Sequence, residues 1–89
     1  MLTIRSSVEP DVRTIVDRQE RSLTVEFMLP GVRTETISLR VDASSVFIRA
    51  SARHTTYAKY IVLHHPVLHQ QASAVFRSDT LRVILPLRG

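Results

Sequence analysis

Leu29-Pro30-Gly31-Val32, with Glu35-Thr36-Ile37 just behind it, stands between two runs in which apolar and polar residues alternate. Pro30 has no backbone donor and Gly31 is free to take positive φ, so the pair ends a strand sharply. Upstream, Leu23, Val25, Phe27 and Leu29 alternate with Thr24, Glu26 and Met28. Downstream, Ile37, Leu39 and Val41 alternate with Ser38 and Arg40. A period of two on both sides of a turn marks two half-buried strands and sets the reading of the rest.

The same period continues outward. Val12 to Asp17, β-branched at Val12, Thr14, Ile15 and Val16, precedes a polar turn at residues 18–21. After a turn at residues 42–45, Val46, Ile48 and Ala50 alternate with Phe47 and Arg49. His54-Thr55-Thr56 is a short link to Lys59, Ile61 and Leu63, which alternate with Tyr60 and Val62 until His64, His65 and Pro66 break the run. Ala72, Ala74 and Phe76 oppose Ser73 and Val75. Ser78-Asp79 turns the chain, Leu81, Val83 and Leu85 close the pattern, and Pro86 ends it. Seven short strands and no helix predict an all-β, antiparallel, immunoglobulin-like β-sandwich. It forms one domain over residues 10–87, behind a short N-terminal extension at residues 1–9. With no Trp and no Cys pair, a true immunoglobulin domain fits the chain poorly.

Composition narrows the function classes. Twelve Lys and Arg against eight Asp and Glu give a net charge of +4; eleven of the twelve are Arg, scattered along the chain, and Lys59 is the single lysine. Scattered charge reads as a solvated surface, and without an aromatic-studded basic strand nucleic acid is not an expected partner. Cysteine is missing, so neither a disulfide nor a thiolate metal site can form. No apolar run approaches a membrane span and residues 1–8 have no signal-peptide anatomy, so a soluble, cytoplasmic protein is expected. Catalytic residues are not expected: no serine sits in a Gly-x-Ser-x-Gly elbow, the acids stand singly, and there is no glycine-rich phosphate loop. His64, His65 and His69 crowd together, but neighbours on a strand point to opposite faces, so they read as a polar turn rather than a metal site. No cofactor is expected.

The ordered series resembles the α-crystallin domain of the small heat shock proteins. Leu29-Pro30-Gly31-Val32 is similar to that family's leucine-proline-glycine-valine turn, and Thr34-Glu35-Thr36-Ile37 sits where the family has acidic residues and then an aliphatic one. Val46-x-Ile48, the run Tyr57-Ala58-Lys59-Tyr60-Ile61-Val62-Leu63 and Pro66-Val67 fall in the family's order. From Val67 to Pro86 the register holds without a gap, through Ala74 and Leu81-x-Val83-x-Leu85-Pro86. The chain departs from the family at Asp79, which replaces a turn glycine, and at His64, which replaces a proline. It departs again at His54-Thr55-Thr56, where bacterial and plant members insert a long loop carrying a strand exchanged between dimer partners. Three residues cannot reach another subunit. Neither the family's long N-terminal arm nor its C-terminal Ile-x-Ile tail is read in these 89 residues, so a bare domain is expected.

The resemblance implies an apolar groove between the two sheets, along the strand of Leu39 and Val41 and the strand of Ser73 and Val75. Such a groove takes an extended apolar segment. Lys59, with Tyr57, falls where the family's dimer interface often lies. Phe47, Met28 and Ile84, opposite the core stripe, are candidates for a second apolar patch. Two functions follow, with a basic nucleic-acid binder as a third and weaker one. One is an ATP-independent molecular chaperone that holds exposed apolar segments of partly unfolded client proteins. The other is a co-chaperone-like interaction module, similar to CS-type domains, that docks one specific protein partner. A monomer or a weak homodimer is expected rather than a large shell.

Overall fold

Residues 7–89 are described by the computed structural model, and they form eight strands: β1 (Ser7–Val8), β2 (Val12–Asp17), β3 (Ser22–Met28), β4 (Ser38–Val41), β5 (Ser45–Ser51), β6 (Thr56–Val62), β7 (Ser73–Arg77) and β8 (Thr80–Pro86). Two 3-10 turns, Thr34–Thr36 and His69–Gln71, are the helical elements among the described residues. All seven strands expected from the alternation are present. The eighth, β1, lies in the stretch read as an extension. It pairs in parallel with β6, Ser7 beside Thr56 and Val8 beside Tyr57. Two residues carry no periodicity, so this strand left no mark in the pattern. Residues 1–6 of the expected extension lie outside the described residues.

The strands divide into two four-stranded sheets, ordered β1-β6-β5-β4 and β2-β3-β8-β7. Alternation sends one side chain in two to the space between them. From the first sheet come Val46, Ile48 and Ala50; from the second come Leu23, Val25, Phe27, Leu81, Val83 and Leu85, and all are buried. Leu29, Val32, Leu63 and Val67 close the ends of the same core. β3 and β8, distant in sequence, pair at the centre of the second sheet with Val25 opposite Val83.

The Pro30-Gly31 step carries the chain from one sheet to the other. Val32 N–H donates to Leu29 O at 3.2 Å, and Gly31 has φ +73°. Proline followed by a positive-φ glycine is the arrangement of a type II turn. A Cβ at Gly31 would stand 3.8 Å from Ala52 Cβ, so the backbone angle rather than space demands glycine. Thr36 then fastens the crossover to the end of β5. Its hydroxyl accepts from Ser51 N–H at 3.0 Å and lies 2.6 Å from Arg33 O and 3.1 Å from Ser51 O as a donor.

The β7–β8 hairpin turns in two residues, since Arg77 faces Thr80. Ser78 has φ +51° and Asp79 φ +63°, so both central positions are left-handed, as a type I′ turn requires. An L residue there costs about 1–2 kcal/mol, and glycine's unfolded-state entropy returns about half of that. Asp79→Gly is therefore expected to raise stability by about 0.5–1 kcal/mol, read as a higher urea midpoint at unchanged slope.

Candidate functional site

Three residues, Glu9–Asp11, separate β1 at the edge of one sheet from β2 at the edge of the other. So short a link puts these two edges on the same side of the sandwich. Given the strand orders, β4 and β7 then share the opposite side. β4 pairs with β5 and β7 with β8, so among the described residues each keeps its outer row of N–H and C=O groups open.

Register decides what lines the space between them. Leu39 stands opposite Ile48 and Val41 opposite Val46, so both point inward, half-buried. On β7 the inward residues are Ala74, opposite buried Val83, and Phe76, opposite buried Leu81. Ala74 is exposed and Phe76 half-buried, with half-buried Ala72 next in line. Ser73 and Val75 stand opposite Ile84 and Arg82, on the outer face of the sheet. The four residues expected to line one groove are thus split. Leu39 and Val41 face the gap, whereas Ser73 and Val75 face away from it and Ala74 and Phe76 take their place. The phase of β7 was available in the sequence, because residues 72, 74 and 76 are in step with the core and the apolar side chain of Val75 is not.

On the other side, Tyr57 and Lys59 also point inward, opposite Ala50 and Ile48. Lys59 reaches the rim of the sandwich, where Nζ meets Glu9 Oε1 at 3.1 Å, and its side chain is 27% exposed. Tyr57 lies where β1 adds to β6. The β5–β6 connection, Ala52–Thr55, is closed by a 2.7 Å hydrogen bond from Ala52 N–H to Thr55 O, so the two strands form a tight hairpin within one chain.

The outer face of the second sheet carries a charged row. Arg13, Glu26 and Arg82 are directly opposite one another on β2, β3 and β8. Arg13 Nε and Nη2 meet Glu26 Oε1 at 3.1 and 2.9 Å; Arg82 Nε and Nη2 meet Oε2, both at 2.9 Å. The Glu26 side chain is only 4% exposed beneath them. With Met28, Val75 and Ile84 these groups line a shallow depression of about 620 Å³. Phe47 lies on the outer face of the other sheet, so the three residues expected to share a patch belong to two separate surfaces.

His64 is exposed, His65 half-buried and His69 exposed at the start of a 3-10 turn. Among the described residues no three His, Asp or Glu side chains converge as metal ligands, and no helix is long and apolar enough to cross a membrane.

No family model and no curated protein matches the sequence significantly. Solved structures do match the fold. Heat shock protein 16.0 from Schizosaccharomyces pombe superposes with a TM-score of 0.78 at 17% identity, over 91% of this chain and 88% of that one. HSP18.5 from E. histolytica gives 0.82 at 13% identity, over 91% and 89%. A small heat-shock protein from Xylella fastidiosa gives 0.78 at 14% identity, over 94% and 90%. The sandwich is therefore of the α-crystallin type found in small heat shock proteins.

The charged row makes stability acid-sensitive. Glu26 is held below the ordinary carboxylate value of 4.5, chiefly by the hydrogen bond from Arg82; burial opposes this, and the hydrogen bond from Arg13 and both guanidinium charges add to it. A carboxyl group whose value is lowered by folding stabilises the fold above its ordinary value. That stabilisation disappears as pH falls from about 4.5 through the lowered value. Glu26→Gln is expected to lower the urea midpoint at pH 7 and to flatten its decline below pH 4.5, measured by denaturation at a series of pH values. An unchanged decline would place the acid-labile contact elsewhere.

Proposed function

We propose that this chain is an ATP-independent chaperone that holds exposed apolar segments of partly unfolded proteins in the β4/β7 gap and so limits their aggregation. The observation that carries the reading is the pairing of two open strand edges on one side of the sandwich, with Leu39, Val41, Ala74 and Phe76 facing inward between them. An extended segment laid there meets backbone hydrogen-bonding groups along its length and apolar positions at alternate residues. Recognition of that kind is tolerant of sequence. Holding is mass action: occupied apolar segments are withdrawn from aggregation without a chemical step. That the fold neighbours are named heat shock proteins supports the reading. Its natural setting is the cytoplasm, where partly folded clients arise.

A second reading, a module that docks one specific partner, has a particular feature in its favour. The tight Ala52–Thr55 hairpin leaves no strand to exchange with another subunit. A homodimer, where one forms, uses the β6 edge near Tyr57 and Lys59, and β1 already occupies part of that edge. Self-association is then weak, and the chain works as a monomer on whatever partner it meets.

The two readings separate in one assay. Light scattering of a heat-labile protein should fall when wild-type domain is added in molar excess. Ala74→Arg, which fills the gap from an exposed position, and Leu39→Asp are both expected to lose most of that suppression, while Val75→Asp on the outer face keeps it. Circular dichroism melts check that each variant is folded. Suppression that survives Ala74→Arg would refute the groove. No suppression by the wild type, with a single stoichiometric partner recovered by its affinity capture, would favour the docking module.

A further inference from the structure

The outer face of the first sheet brings together residues that the chain order keeps apart. Arg40 on β4 is directly opposite Phe47 on β5, and Phe47 is directly opposite Tyr60 on β6. Arg49 stands two residues along β5 from Phe47, on the same face and diagonal to Tyr60. Side chains placed so are within contact range across neighbouring strands. Tyr60 is 61% exposed, and Val62, two residues on, is 64% exposed. Phe47 is half-buried, and both arginines are exposed.

Charge on this face is mainly positive, with a carboxylate at its border, where Asp42 in the β4–β5 turn accepts from Ser45 Oγ at 3.4 Å. The outward positions of β4, β5 and β6 are Ser38, Arg40, Ser45, Phe47, Arg49, Ser51, Thr56, Ala58, Tyr60 and Val62, and no carboxylate stands among them. Among the described residues neither Arg40 nor Arg49 makes an ion pair. The opposite face of the sandwich differs, because there Glu26 takes up Arg13 and Arg82. Two aromatic rings side by side on adjacent strands, with two unneutralised guanidinium groups at their flanks, form a platform for planar, anionic partners.

We propose that this face binds single-stranded nucleic acid, with bases stacking on Phe47 and Tyr60 and phosphates meeting Arg40 and Arg49. Two rings on neighbouring strands of an open sheet are how sheet-based modules stack successive unpaired bases. Arginine supplies the backbone contact and stacks as well. An acidic protein would satisfy the arginines and leave the rings without a planar partner; a duplex would satisfy the phosphates but keep its bases stacked inward. The site lies on the opposite side of the sheet from Leu39 and Val41, so it stands or falls independently of the groove.

The test is fluorescence anisotropy with a labelled oligouridine of about twelve nucleotides, a length within the range one small β-fold covers. Binding to the full chain at low salt is expected. Tyr60→Ala should weaken it by about fivefold or more, the lower end of a stacking contribution of about 1–3 kcal/mol per base, while Tyr60→Phe keeps it. Arg40→Glu with Arg49→Glu should abolish it. Two neutralised phosphates predict a slope of log affinity on log salt of about −1.4. These positions are exposed, so the variants should melt like the wild type. Three results would overturn the proposal: no binding at low salt, equal affinity for the oligouridine–oligoadenosine duplex, or a Tyr60→Ala protein that binds as wild type while the arginine variant does not. The last result would assign the face to an acidic partner.

Discussion

The register of β3 against β8 is the constraint on which the rest depends. These strands are joined through most of the domain, and seven residue pairs set their alignment. On the inner face Leu23, Val25 and Phe27 meet Leu85, Val83 and Leu81, all buried. On the outer face Glu26 meets Arg82 in the same register, and Arg13 reaches it from β2. A slip of one residue would send every buried side chain to water. A slip of two would keep the apolar face inward but move Glu26 away from both guanidinium groups. Burial therefore selects the face, and the charged row selects among the alignments that burial alone allows. A buried ion pair is weak evidence of stability in general, and its specifying role is the one this geometry supports.

The Pro30-Gly31 turn follows from that alignment. β3 must leave the second sheet at Leu29, where Leu29 N–H donates to Asp79 O across the end of the β7–β8 hairpin. The chain then has to reach the first sheet at the level of Ser51. Only a sharp reversal fits, and the type II geometry supplies it, with Thr36 tying the crossing to β5. Local turn chemistry and long-range pairing thus ask for the same path, the consistency that lets a small core specify one structure.

Much of this was legible in the sequence because each inner face is written as period two. Leu23-x-Val25-x-Phe27 and Leu81-x-Val83-x-Leu85 announce both strand and face. What was not legible has physical reasons. β1 is two residues long and parallel, and a pairing that short has no pattern. β7 carries apolar residues on both phases, Ala74 and Phe76 inward and Val75 outward; its core phase was legible, and it was the groove implied by the resemblance that placed Ser73 and Val75 on the wrong side. The Arg40–Phe47–Tyr60 row is spread over three strands. Along the chain these residues are isolated single positions, and only strand pairing makes them neighbours.

The four edges of the two sheets are defended to different degrees. An open strand edge invites pairing, and a small sandwich has four. β1 covers part of β6, with Lys59 and Glu9 paired at its rim. β2 carries charge along its length, at Arg13 and Asp17. β4 is short and keeps Arg40 on its outward face. β7 is the least defended. Ser73, Ala74 and Val75 are exposed in succession and carry no charge, and Arg77 stands only at the strand's end. Protection graded in this way leaves one side of the sandwich more receptive than the others. That side is also where the inward residues of β4 and β7 leave Ala74, rather than a large side chain, at the mouth of the gap.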